Sequence, residues 1–393
     1  MSAMAATKLN LPSWPVFAPD EIAAVTRVLE SGKVNYWTGQ EGRLFENEFA
    51  EYCGTKHAIA IANGTVTLEL ALIAMGIGPG DEVILTPRTF MATATAVVMR
   101  GATPVFADLD PESGNISAET IERVRTPKSK AIIPVHLGGW PCEMDEMLAL
   151  GIPVIEDCAQ AHGASYRGKK VGGFGAVGSW SFCQDKIMTL GGEGGAVTTD
   201  DDELWRRMWE YKDHGKSYDA VYNREHPKGF RWVNEGFGTN WRLTEMQSAI
   251  ARVQLTKLDG WMRQRQANAA VLNEAFAGHP MLHVPMPPDH VEHAYYRWYG
   301  YLRPETLKED WTRERICDEV HSRFGVWCQV GSCAEIYLEK AFDGTGFRPV
   351  ERLPVAKRIG ETSICLRTDP CLTTAHAAQM AEALAYVLDE AKR

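Results

Sequence analysis

The chain has 393 residues, 45% apolar and 23% charged, the make-up of an ordinary globular protein with two to three domains' worth of core. Its 41 basic and 51 acidic residues leave a formal charge of −10, which argues against a non-specific binder of nucleic acid or of an anionic membrane. No apolar run reaches the roughly 18 residues of a membrane span. The nine cysteines are scattered without a CxxC pair, the pattern of reduced thiols in a cytoplasmic protein rather than of a disulfide framework or zinc knuckle.

Residues 1–11 lack a charged stretch followed by an apolar one, so no secretory signal is expected. A short arm containing proline and tryptophan precedes an amphipathic helix. Pro19, Asp20 and Glu21 open it, Ile22, Val25, Val28 and Leu29 share a face, and Gly32 ends it. From about residue 55 to 200, apolar strand-like runs (57–61, 82–85, 103–106, 131–135, 154–156) alternate with helical stretches (66–75, 91–99, 143–150). That alternation predicts an α/β architecture with a largely parallel sheet. Two further strands are expected at 178–182 and 195–199, then helices at 202–212 and 244–258. Between those helices, 215–238 reads as a loop rich in aromatic and charged residues. The proline-rich stretch around Pro280, Pro285, Pro287 and Pro288 marks the entry to a smaller domain. The division expected is an N-terminal arm and helix (1–32), a large domain (33–258) and a small C-terminal α/β domain (259–393).

Five segments carry candidate chemistry. Ser181-Phe182-Cys183-Gln184-Asp185-Lys186 precedes the cluster Gly191-Gly192-Glu193-Gly194-Gly195. A lysine just beyond a strand, beside flexible glycines, is free to lean over a ligand and to condense with an aldehyde. Equally, it can be a surface lysine next to a turn. Val154-Ile155-Glu156-Asp157 ends a buried strand with an acid, at the sheet edge where open α/β sheets bind ligands. Asp157 there can hold a pyridine nitrogen protonated, or simply cap a helix. Asn63-Gly64-Thr65 opens a helix, offering backbone N–H groups and a hydroxyl to a phosphate, or forming an ordinary cap. Pro87-Arg88-Thr89-Phe90 offers an aromatic that can stack on a planar ring or join the core. Gly238-Thr239-Asn240-Trp241-Arg242 sets polar side chains at a loop-to-helix junction. His290 and His293 have HxxH spacing but no third ligand nearby in sequence, so no metal site is expected. Ser181 lacks the Gly-x-Ser-x-Gly elbow of a triad hydrolase.

In this order, these segments resemble the DegT/DnrJ/EryC1/StrS family of sugar aminotransferases, and the resemblance covers nearly the whole chain. It includes Thr38-Gly39, Phe45-Glu46, Gly80-Asp81-Glu82, His136-Leu137-Gly138-Gly139 and Asn240-Trp241-Arg242. The family implies an aspartate-aminotransferase-type fold (fold type I), pyridoxal 5'-phosphate as cofactor, and a homodimer with shared active sites. By position, Lys186 matches the Schiff-base lysine and Asp157 the acid that pairs with the pyridine nitrogen. Gln160 matches the glutamine near the ring oxygen, and Phe90 the stacking aromatic. Gly64, Thr65 and Ser181 match phosphate contacts, and Asn240 matches a phosphate contact from the neighbouring subunit. Asn63 and Cys183 depart from the residues frequent at those places, serine and histidine. The family implies transfer of an amino group from L-glutamate to a keto-sugar, one carried on a nucleotide diphosphate, with Arg231 and Arg242 as candidate substrate contacts. Some members with histidine in place of the lysine are dehydratases, so Lys186 favours transamination. A cyclitol ketone as substrate, or a non-catalytic protein on the same scaffold, stays open on sequence alone.

Overall fold

The computed structural model describes residues 8–225 and 231–393. The first seven residues of the expected arm, and 226–230 of the expected loop, lie outside the described residues.

The centre is one twisted sheet assembled from two ladders. Strands His57–Ile61, Gly195–Thr199, Val177–Ser181 and Ile155–Asp157 lie side by side in that order, and Ser129–Ile133, Glu82–Leu85 and Thr103–Phe106 continue the layer. Parallel bridges Ile132–Val154 and Val135–Asp157 join the two halves. Only Gly195–Thr199 runs against its neighbours. Every other strand therefore points the same way, and the expected largely parallel sheet is present.

Strands 57–61, 82–85, 103–106 and 195–199 form over the residues expected, and the others shift by one or two positions. The sequence makes them core strands: Ile59, Val83, Ile84, Leu85, Ile132, Ile155 and Val197 have no exposed surface. A run apolar on both faces needs cover on both. Helix Gly64–Ala74 supplies part of it and is itself nearly all apolar, with Leu68, Leu70, Ala71 and Leu72 buried. On the other face, helix Glu41–Cys53 packs Phe45 and Phe49 against Trp180 and Phe182. Fully burying each phenyl ring contributes roughly 1.5–3 kcal/mol.

Helix Pro19–Ser31 ends as expected at Gly32, whose φ of 66° is a left-handed turn that glycine adopts without strain. Helix Glu245–Phe276 runs unbroken for 32 residues, and position 258/259 falls inside it. Its later half carries Ala269, Leu272 and Phe276 into a second core. That core lies under an antiparallel sheet of Leu282–His283, Trp298–Leu302, Ser363–Leu366 and Cys328–Gln329, with helices Arg313–Phe324 and Thr374–Ala391. All nine cysteines are unpaired. No helix among the described residues is long and apolar enough to cross a membrane.

Candidate active site

The ends of parallel strands collect the chemistry. Five loops leave the carboxyl ends of 57–61, 82–85, 129–133, 155–157 and 177–181 on one edge of the sheet, and they carry Gly64, Phe90, Gly138, Gln160 and Lys186.

Asp157 closes its strand and is 5% exposed. One oxygen accepts the Thr93 hydroxyl at 3.1 Å and the other the Ala159 N–H at 3.2 Å. Two bonds leave unused acceptor capacity on a carboxylate, which can take about four. Burial pushes its pKa up, against the pull of the Ala159 and Thr93 bonds and of the charge on Lys186. An acid held this way is short of a positive partner.

Its sequence neighbour is the opposite case. Glu156 has no exposed surface, yet its oxygens accept the N–H groups of Gly172 (2.8 Å), Phe174 (2.7 Å) and Gly175 (2.7 Å), and His136 Nε2 lies at 3.2 Å. Burial would raise its pKa, but His136 and the backbone donors outweigh burial and hold it low. His136 Nδ1 accepts the Cys142 N–H at 3.0 Å, so the ring proton belongs on Nε2, facing Glu156. His136, Glu156 and Cys158 bring possible metal ligands within 4.8 Å. Both imidazole nitrogens are already committed, however, and burial pushes the Cys158 thiol well up, away from the thiolate a metal needs. Nor do His290 and His293 make a metal pair: His290 bonds Glu143 at 2.8 Å, and His293 Nδ1 accepts the Tyr295 N–H at 2.7 Å.

Lys186 is half-buried, with its amine 5.0 Å from the Tyr296 ring centre. Its backbone is pinned at both ends: its N–H donates to Cys183 O (3.1 Å) and its carbonyl accepts the Trp14 indole (3.0 Å). The side chain thus extends from a fixed base. Gln160 is 7% exposed, and its oxygen accepts the Gly138 N–H at 2.7 Å, which leaves its NH₂ as the donating end.

The phosphate candidates also meet. A Cβ on Gly64 would lie 2.4 Å from Ser181 Cβ, so only glycine lets the helix start sit this close to the strand end. Thr67 and Ser179 hydroxyls join the same two elements at 2.7 Å. Asn63 caps the helix, its side-chain oxygen accepting the Thr65 (3.1 Å) and Val66 (3.2 Å) N–H groups. The helix start thus lies against Ser181, with Thr65 exposed beside it. Phe90 is 74% exposed at the head of helix Met91–Met99, which carries Thr93 to Asp157.

The remaining candidates stand apart from that group. Arg231 and Asn240 are exposed. Arg242 donates to Asp213 at 2.7 Å, inside a cluster with Lys216. The stretch 240–242 runs beside the strand that feeds Gly64, through the Ala62 N–H to Trp241 O bond (2.8 Å). Sequence reasoning gave no role to Thr93, Tyr296 or Arg297. Thr93 sits three residues past Phe90 and a helical period could have found it, whereas nothing local marks the other two.

Comparison with known proteins agrees with this geometry. The model of the DegT/DnrJ/EryC1/StrS aminotransferase family matches residues 15–385. The spore coat polysaccharide biosynthesis protein SpsC of Bacillus subtilis is 37% identical over 324 residues, 81% of this chain and 82% of its own. The dTDP-3-amino-3,4,6-trideoxy-alpha-D-glucose transaminase of Streptomyces venezuelae is 40% identical over 268 residues, 67% of each chain. The crystal structure of an aminotransferase from Psychrobacter cryohalolentis superposes with a TM-score of 0.95 at 52% identity, over 97% of this chain and 99% of that one.

Proposed function

Because the chain belongs to the DegT/DnrJ/EryC1/StrS family and is a pyridoxal-phosphate-dependent sugar aminotransferase, we propose that it moves an amino group from L-glutamate to a keto-sugar linked to a nucleotide diphosphate. The observation that carries this reading is the under-bonded, buried Asp157 within the electrostatic reach of Lys186.

These residues fit the cofactor. Its ring nitrogen, once protonated, is the positive partner Asp157 is short of. The helix start at Gly64-Thr65 with Ser181 suits its phosphate, and exposed Phe90 offers a face for its ring. When bound, pyridoxal phosphate supplies an electron sink for the bond broken at the donor's α-carbon.

The chain's own residues do the rest. Lys186 would hold the aldehyde carbon covalently until the donor displaces it. Its amine, once free, would carry the proton from the donor's α-carbon to the former aldehyde carbon on the other side of the shared nitrogen, a shuttle that contributes about 10²- to 10⁴-fold. Asp157 would keep the ring nitrogen charged. The Gln160 NH₂ would be the group that donates to the ring oxygen.

In this reading the chain pairs with a second copy, and Asn240 reaches the partner's phosphate site. Support comes from the stretch around it: Trp232 is 80% exposed and Phe237 fully exposed, an apolar surface that association would cover. Arg231 beside them is the proposed contact for the nucleotide's phosphates, and Arg242 a second, held in place by Asp213.

The test is to incubate purified holoprotein with L-glutamate and a panel of nucleotide-linked keto-sugars and cyclitol ketones, and to read the products by mass spectrometry. An aminated sugar together with 2-oxoglutarate supports the reading. Release of 2-oxoglutarate with only a cyclitol ketone accepted would move the substrate class, and no 2-oxoglutarate from any mixture would overturn the donor.

A further inference from the structure

A cavity of about 500 Å³ opens beside Lys186, on the side of the small domain. Asp185, Tyr296, Arg297, Tyr299, Trp327 and Gln329 line it. Tyr296 links it to the lysine, because the Lys186 amine lies 5.0 Å from the centre of its ring and the Arg297 guanidinium carbon 4.3 Å. The same guanidinium carbon is 5.0 Å from the Trp327 ring. Arg297 thus stands on an aromatic wall within one small molecule's reach of the reacting amine.

The charges around this wall do not balance. Arg265, Arg297 and Arg367 all converge on one carboxylate, that of Asp369. Asp369 and the Arg265 side chain are buried, and Nε of Arg265 has no partner among the described residues. Among the described residues lining the cavity Asp185 is the one acid, and it is shared: the Tyr296 hydroxyl donates to it as well. Behind Tyr299 lies Arg88, 1% exposed, with its guanidinium carbon 4.6 Å from that ring. Arg88 donates to the Tyr301 hydroxyl at 2.8 Å, while its Nε and Nη2 have no partner among the described residues. Around Asp369 three guanidiniums thus meet one carboxylate, with only Arg297 among them also reaching Asp185, and such an excess of positive charge leaves room for an anion.

Arg297 is the member on the cavity wall and is loosely held by acids, its one shorter bond being to the Tyr296 carbonyl at 3.1 Å. Its contacts with Asp369 and Asp185 are 3.4 and 3.7 Å, longer than the 2.7–2.9 Å of a well-made charged hydrogen bond. A planar carboxylate can take the guanidinium fork at closer range.

We propose that Arg297 anchors a carboxylate of the amino donor in this cavity. The inference rests on the transaminase reading above and deepens it. An amino acid's α-carboxylate is bonded to the very carbon whose proton Lys186 takes, so an anion must come to rest close to Lys186 in the donor half-reaction. The keto-sugar carries no charge at its reacting carbon, and its phosphates lie at the far end of the molecule. When the sugar occupies the cavity instead, Asp369 and Asp185 remain to neutralise Arg297. The wall can therefore serve both half-reactions.

The experiment compares wild-type holoenzyme with Arg297→Met and Arg297→Lys. Two quantities are read: the KM for each substrate, and binding of succinate, a dicarboxylate without an amine, followed by the absorbance of bound cofactor. In Arg297→Met the KM for L-glutamate and the succinate dissociation constant should both rise about thirtyfold or more, with the keto-sugar KM within about threefold. Arg297→Lys, which keeps the charge but loses the fork, should fall between, and it decides the matter if Arg297→Met fails to retain cofactor. Unchanged succinate binding in either variant overturns the proposal. So does a raised keto-sugar KM with the donor's unchanged, which would give the cavity to the sugar phosphates. Succinate binding needs no turnover. A wild type that binds succinate through Arg297 yet releases no 2-oxoglutarate would count against the transaminase reading and not against the anion site.

Discussion

Glu156 and Asp157 are consecutive acids on one three-residue strand, both buried, and they face opposite electrostatic fates. Alternation along a strand sends them to opposite faces of the sheet. On the Glu156 side, three backbone N–H groups and a histidine complete the carboxylate, and its pKa is held low. On the Asp157 side, two donors leave it incomplete and burial pushes its pKa up. Burial by itself thus says nothing about function. A satisfied buried acid holds the fold together, and an unsatisfied one marks where a charged ligand belongs.

This contrast can be broken from either side. The largest effect is expected from Lys186→Ala, which removes the proposed anchor and proton shuttle. Turnover should fall by about 10⁴-fold or more, and borohydride should no longer fix cofactor to the chain, with the fold intact by circular dichroism. Asp157→Asn should retain the fold and lose about 10²-fold or more in kcat, since an amide cannot hold a ring nitrogen protonated. Full turnover in that variant would remove Asp157 from its role. Glu156→Ala should act the other way, destabilising by about 3–5 kcal/mol as the strand's buried donors lose their acceptor, and thermal unfolding would show it. Thr93→Val removes one of the two donors to Asp157 and should lower kcat by about tenfold.

The smallest effect concerns pH and the protein without cofactor. A raised folded-state pKa means that Asp157 prefers to be protonated in the fold. Its contribution is favourable below the unfolded pKa and is lost as pH rises through the folded pKa. Lys186 and His136 pull the other way without reversing the direction. Apoprotein carrying Asp157→Asn should therefore melt about 2 °C or more above wild-type apoprotein at neutral pH. The gap should close as pH falls and Asp157 takes up its proton, and a gap that widens on acidification would contradict the assignment.

Much of the large sheet was legible because its strands are short apolar runs rich in valine and isoleucine between glycines. Strand direction was not, since nothing within 195–199 encodes that it runs against its neighbours. The long helix was read only to 258. There Asp259, Arg263, Gln264, Arg265 and Gln266 blur the apolar period, because this part of the helix buries polar residues such as Arg265 and Asn268. Helix Glu41–Cys53 was missed, as its buried face mixes Phe45, Phe49 and Cys53 with Gly42, Glu46 and Ala50, which dilute the apolar period.

In the site, Asp157, Lys186 and the Gly64 turn each carry a local signal. Tyr296 and Arg297 carry none. They meet Asp185 and Lys186 across about 110 positions of sequence, where the stretch around Tyr296 packs into the core that also holds Phe182 and Ile187. Asp157 itself read equally well as a helix cap until its unfilled hydrogen-bonding capacity was visible.

The most direct test of the central claim is to reduce wild-type holoprotein with borohydride, digest it and locate the fixed cofactor by mass spectrometry. The account expects the added mass on the peptide that contains Lys186, and nowhere else. Cofactor fixed to another lysine, or none retained after loading with pyridoxal phosphate, would contradict it.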